Sequence, residues 1–189
     1  MITLASRSPQ RRAILEQLGV EFEVVPADVE ETTKGDPPRV VVENALRKAR
    51  AVHGERVLGM DTEVVLDGRV YGKPADESEA ETFLRRLSGR THEVWSGIAL
   101  RTQSGDERTS TACTRVTFRR LEQPDIDWYV ASGEWRERAG GYAIQGKGAA
   151  LVESIDGDYW NVVGLPVAEL VRLAPDIVRN VAANRHRRG

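Results

Sequence analysis

The sharpest candidate for chemistry is Gly59-Met60-Asp61-Thr62, where a carboxylate follows an apolar run. A carboxylate at the carboxyl end of a strand lies where open α/β sheets place their ligands. Asp61 therefore fits metal binding or activation of a water, and equally a structural aspartate closing a strand. Glu30, Glu31 and Asp36, in the acidic stretch upstream, are possible partners, because hard carboxylate oxygens suit Mg²⁺ or Mn²⁺. Opposite charge comes from Leu4-Ala5-Ser6-Arg7-Ser8-Pro9-Gln10-Arg11-Arg12, where a strand passes into a helix whose first amides have no intrahelical partner. Such a junction attracts anions, and arginine can meet a phosphate with two parallel bonds, although Ser8 also fits a plain helix cap. Lys48 and Lys73 suit neutralisation of phosphate oxygens as an anhydride bond breaks, and Gly72 and Pro74 would fix the direction of Lys73 on a loop.

Other chemistries are poorly supported. Gly141-Tyr142-Ala143-Ile144-Gln145-Gly146-Lys147-Gly148 comes close to the phosphate-loop pattern, but Gly148 stands where that loop needs a magnesium-binding hydroxyl. The flanking segments are neither the buried strand nor the helix that a phosphate loop requires. His53, His92 and His186 lie far apart without zinc-hydrolase spacing, and Ser96-Gly97 lacks a full nucleophile elbow. Trp95, Trp128, Trp135 and Trp160 are dispersed and read as packing residues rather than a stacking platform.

These residues need elements to hold them. Ile2 to Ala5 reads as a strand, followed by a helix with Ser8 as N-cap, Pro9 in its first turn and Gly19 at its end. Val20 to Pro26 reads as a second strand. Val40, Val41, Asn44, Ala45, Lys48 and Ala49 mark one face of a four-turn helix, with Glu43 and Arg47 paired one turn apart. Residues 56 to 60 form a strand ending at Asp61, and Asp67-Gly68 turns a hairpin between 64–66 and 70–71. A helix capped by Asp76 or Ser78 carries Ala80, Phe83, Leu84 and Leu87 inward. Glu93 to Arg101 and Arg108 to Phe118 alternate as a long hairpin, followed by a helix over 124–132, a strand over 149–155 and a helix over 166–182. Repeated strand and helix units predict an α/β fold with a mixed sheet.

The chain has 189 residues, with 40% hydrophobic, 30% charged and net charge −2, which fits a soluble globular domain and argues against a general nucleic-acid binder. No apolar run approaches the length needed to span a bilayer. The one cysteine, Cys113, excludes an internal disulfide, fits a reducing cytoplasmic setting and is expected as a buried structural thiol. We expect a single domain over 1–183 and a solvated basic tail over 184–189.

In chain order, Leu4-Ala5-Ser6-x-Ser8-Pro9-x-Arg11, Asp61-Thr62, Gly72-Lys73-Pro74, Leu87-Ser88-Gly89-Arg90-Thr91-His92, Ala139-Gly140-Gly141-Tyr142-x-Ile144-Gln145-Gly146 and Val163-Gly164-Leu165-Pro166 resemble the Maf family. The resemblance implies metal-dependent hydrolysis of a nucleoside triphosphate to monophosphate and pyrophosphate. It also implies an elongated mixed sheet flanked by helices, with two lobes and a central cleft, like the inosine triphosphate pyrophosphatases. By carry-over, Asp61 accepts the proton of attacking water, Glu31 and Asp61 hold Mg²⁺ or Mn²⁺, and Arg11, Lys48 and Lys73 meet phosphate. Ser6 positions a phosphate oxygen. The branch associated with dTTP and UTP carries arginine, threonine and glutamine at its specificity positions; Thr62 and Gln145 match, and Gln10 replaces the arginine. That departure keeps open a broad house-cleaning pyrophosphatase for noncanonical nucleotides, and a noncatalytic nucleotide-binding division regulator is the alternative from another class. The implied partners are a nucleoside triphosphate substrate and a second copy in a homodimer, with no stable nucleic acid and no membrane.

Overall fold

The computed structural model describes residues 1–177; the expected basic tail and residues 178–182 of the expected terminal helix lie outside the described residues. The strands are β1 (Ile2–Leu4), β2 (Phe22–Val24), β3 (Arg56–Leu66), β4 (Arg69–Tyr71), β5 (Thr91–Thr102), β6 (Glu107–Phe118) and β7 (Val152–Asp156). The helices are α1 (Pro9–Gln17), α2 (Pro37–Arg50), α3 (Glu77–Leu87), α4 (Gln123–Ala131), α5 (Tyr159–Val163) and α6 (Val167–Leu173). The sheet runs β2-β1-β3-β5-β6-β7, with β4 paired to β3. Its mixed character is explicit: β1 is parallel to β2 and β3, whereas β3–β4 and β6–β7 are antiparallel.

The described residues gather into two compact units, one of residues 1–61, 96–112 and 164–177 and the other of 62–95 and 113–163. In the first unit, Ala5, Ala45, Ala49, Val52, Val57 and Ala99 form one cluster of small buried side chains, beside larger ones such as Leu4, Leu15 and Leu58. Small residues suit it because α2 lies close to the strands. A Cβ on Gly59 would overlap the Ala45 carbonyl and come within 2.8 Å of the Ala49 nitrogen, and one on Gly97 would overlap the Val41 carbonyl. The two missing side chains therefore admit the α2 backbone to β3 and β5.

The second unit has a core of larger side chains, including Tyr71, Phe83, Leu84, Phe118, Tyr129, Trp135 and Tyr142. His92 lies inside it at 1% exposure, with Nε2 2.8 Å from the Tyr142 hydroxyl. Burial lowers the His92 pKa to about 4, so the ring is neutral at pH 7. The Asp67-Gly68 turn forms as expected, both residues taking positive φ (52° and 73°). Asp76 caps α3 by accepting the Glu79 N–H at 2.8 Å, as the capping pattern anticipates.

Several expectations change. Strand β3 does not end at Asp61 but continues to Leu66, because the polar side chains of Asp61 and Glu63 are buried within it. Polarity suggested a strand end; it marks instead a polar stripe inside a strand. Ser8 occupies the N-cap position without capping, its hydroxyl donating to Gln10 Oε1 at 3.0 Å. The expected strand over 149–155 begins as a 3-10 segment, Lys147–Leu151, and becomes extended only at Val152. Helix α6 stops at Leu173 because Pro175 disfavours helical backbone at Ala174, whose φ and ψ are −149° and 74°. Cys113 is exposed on β6 rather than buried, and Trp128 is 47% exposed rather than packed away.

Candidate active site

In the first unit, α2 brings Asn44 and Lys48 to Asp61. The spacing of four places both on the apolar face of the helix, and the close approach at Gly59 and Gly97 seats that face on the strands. Asn44, Lys48 and Asp61 are 1%, 8% and 6% exposed, depths at which polar groups require partners. They have them. Lys48 Nζ donates to Asp61 Oδ1 at 2.8 Å and to the Met60 carbonyl at 3.2 Å, and lies 2.8 Å from Glu31 Oε1. Its three N–H groups thus face three oxygens.

Asn44 completes the arrangement. Its amide nitrogen donates to Asp61 Oδ2 at 2.8 Å and to the Thr32 carbonyl at 2.9 Å, while its oxygen accepts the Thr32 N–H at 2.9 Å. The N–H and the carbonyl of Thr32 are both held by one side chain, which fixes the acidic loop and places Glu31 beside Lys48. Each Asp61 oxygen has one of these donors and retains accepting capacity.

Arg11 reaches the same region from α1. Its Nε donates to the Gly164 carbonyl at 2.9 Å, and Nη1 donates to Ser6 Oγ at 3.0 Å and the Met60 carbonyl at 3.1 Å. Ser6 and Arg11 are both buried. Desolvation lowers the Arg11 pKa, and the negative charges of Asp61 and Glu31 oppose that shift. Ser6 Oγ also accepts the Ser8 N–H at 3.2 Å. The strand-to-helix junction read from the sequence is therefore a tied corner in which an arginine crosslinks Ser6 after β1, Met60 on β3 and the Gly164 turn. Arg7 and Arg12 are exposed; Glu30 gives its carbonyl to Arg47, and Asp36 sits at the α2 N-cap.

The structure thus brings together Ser6, Arg11, Glu31, Lys48 and Asp61. Thr62, Lys73 and Gln145 belong to the other unit. Lys73 is exposed and lies 2.9 Å from Glu137, and Gln145 is exposed on the Gly146 turn. The member of this network that the sequence did not reveal is Asn44, read there only as a helix marker. The available signal was an amide and a lysine interrupting the apolar stripe of α2.

Among the described residues, no cluster of three or more His, Cys, Asp or Glu side chains is arranged to hold a metal. Two carboxylates, Asp61 and Glu31, nevertheless share a single ammonium. That donor set fits a hard divalent cation whose remaining ligands are phosphate oxygens and water, the usual mode for Mg²⁺ with nucleotides.

A dTTP/UTP pyrophosphatase of Anaeromyxobacter dehalogenans strain 2CP-C is 49% identical over 177 residues, which is 91% of this chain and 91% of that protein. One from Bacillus cytotoxicus is 50% identical over 177 residues, covering 89% and 91% of the two chains. Among solved structures, the Ham1 protein of Staphylococcus aureus aligns with 62% of this chain and 71% of its own, at 17% identity and a TM-score of 0.47. The model of the Maf-like protein family matches residues 1–177, so the chain belongs to the Maf family.

Proposed function

We propose that this protein is a nucleoside triphosphate pyrophosphatase that hydrolyses the bond between the α- and β-phosphates of dTTP- and UTP-like nucleotides with a divalent cation. The observation that carries the reading is the buried Asp61 carboxylate, held by Lys48 and Asn44 with accepting capacity to spare. Relatives at about half identity, named dTTP/UTP pyrophosphatases, support the substrate class.

Asp61 accepts a proton from a water attacking the α-phosphorus, and pyrophosphate departs on the opposite side. Lys48 carries a positive charge against the site, and Arg11 fixes the corner at Ser6, so little reorganisation is needed as charge develops. The formal charges of Asp61 and Glu31 cancel those of Lys48 and Arg11, which leaves a triphosphate's own charge uncompensated. A Mg²⁺ or Mn²⁺ ion held by Asp61, Glu31 and the substrate would supply that compensation and polarise the phosphate. The assignments of Lys73 to phosphate, and of Gln10, Thr62 and Gln145 to the base, rest on motif. An amide such as Gln145 can both donate and accept, which suits a uracil or thymine edge. The broader house-cleaning reading is favoured by one observation, Gln10 in place of arginine.

We place the protein in the cytoplasm, a setting supported by its single cysteine, and as a homodimer on the general frequency of such assemblies. Among the described residues, no helix is long and apolar enough to cross a membrane. Chromatography of products from a panel of nucleoside triphosphates, with and without Mg²⁺ or Mn²⁺, tests the proposal. The expected products are monophosphate and pyrophosphate, fastest from dTTP and UTP and absent after chelation. Release of orthophosphate, or no turnover of any nucleotide, would contradict it.

A further inference from the structure

The segment carrying Gln145 is held by α4 and the turn after it. Two residues before Gln145, the Ala143 N–H donates to the Tyr129 hydroxyl at 2.9 Å; two residues after it, the Lys147 N–H donates to Glu134 Oε2 at 2.7 Å. Both residues that supply the acceptors are themselves anchored. Tyr129 is fully buried, and desolvation raises its pKa to about 12, so it keeps its hydroxyl proton. The Glu134 N–H donates to Ser132 Oγ at 3.2 Å, and that hydroxyl donates to the Tyr129 carbonyl at 2.6 Å.

Gly146 shows how closely Glu134 is applied to the loop, because a Cβ there would overlap the Glu134 carboxylate. A third contact comes from the same helix, with Lys147 Nζ over the Trp128 ring at 5.8 Å from its centroid. Gln145 stands exposed between these anchors. Its neighbours are pinned through their backbone amides, which sets where the side chain starts without using any of its own hydrogen-bonding groups.

We infer that Tyr129 and Glu134 are positioning residues for substrate recognition, clamping the 143–147 loop on both sides so that Gln145 presents a fixed amide to a pyrimidine base. The inference deepens the proposed function and rests on its assignment of Gln145. The physical reason is that a directional readout loses selectivity when the reading group wanders, since right and wrong bases then meet it equally well.

The test combines amide hydrogen exchange with the ratio of kcat/KM for UTP to that for GTP. Glu134→Ala should speed exchange at Lys147 by about tenfold or more, the loss expected of one charge-assisted hydrogen bond, and leave α3 amides unchanged. It should lower the UTP to GTP ratio mainly through KM for UTP. Glu134→Gln, which keeps an acceptor oxygen, should restore part of both, and Tyr129→Phe should act in the same way at Ala143. Unchanged exchange at Lys147 in Glu134→Ala overturns the clamp. A ratio altered by Gln145→Ala but not by Glu134→Ala also overturns it while leaving the base assignment standing. A ratio unaltered by Gln145→Ala overturns the base assignment and, with it, this inference.

Discussion

The two units hold their candidate functional groups by opposite means. In the first, Asp61, Lys48 and Asn44 are buried and bonded to one another through their side chains. In the second, Lys73 and Gln145 are exposed, and around Gln145 the backbone is what is fixed. Burial gives a group a defined charge environment with little solvent reorganisation, which suits proton transfer. Exposure on an anchored loop leaves a side chain available to a ligand, which suits recognition. Packing differs as well: a cluster of small side chains lies under the closely approaching α2 in the first unit, beside larger aliphatic residues such as Leu4, Leu15 and Leu58, whereas aromatic residues pack together in the second.

The strongest way to break this contrast is to push α2 off the strands. Gly59→Val should cost about 3 kcal/mol or more, because the added atoms meet helix backbone rather than a movable side chain. Gly72→Ala, where nothing lies within 4 Å, should shift stability by less than about 0.5 kcal/mol. Urea denaturation of both variants measures the difference. Equal effects would show that the helix is not seated as described.

A smaller effect sharpens the electrostatic half of the comparison. Lys48→Met leaves the buried Asp61 carboxylate facing Glu31 without an ammonium between them, at a cost of about 2–4 kcal/mol. Adding Asp61→Asn to that variant should recover part of the loss, since the pair is coupled. Strict additivity in a double-mutant cycle would argue against the bridge.

The smallest effect belongs to the exposed unit. Glu137→Gln removes the partner of Lys73, but the two side chains are 79% and 63% exposed, so stability should move by less than about 1 kcal/mol and less still at high salt. A larger loss would mean that this pair is structural rather than a resting contact of an available lysine.

Much of this was legible in the sequence because local rules decided it. The Asp67-Gly68 turn, the Asp76 cap and the long hairpin around Gln103–Asp106 depend on neighbours in the chain. The apolar face of α2 was also legible, since periodicity alone reveals it. What escaped is what that face does. Asn44 reaches Asp61 only because Gly59 and Gly97 let the helix close on β3 and β5, and neither glycine announces its partner in the sequence. Asp61 was legible as a candidate for chemistry but misplaced as a strand end, because polarity inside a strand resembles a boundary until its partners are known. Tyr129 and Glu134 gave no signal, since an anchor for backbone amides has no characteristic spacing.

The most direct measurement is turnover of dTTP and UTP by Asp61→Asn, with circular dichroism and urea denaturation confirming that the variant is folded. Loss of the proton acceptor should lower kcat by about 10²–10⁴-fold. A folded variant that releases monophosphate and pyrophosphate at the wild-type rate would contradict the assignment of this buried carboxylate to catalysis.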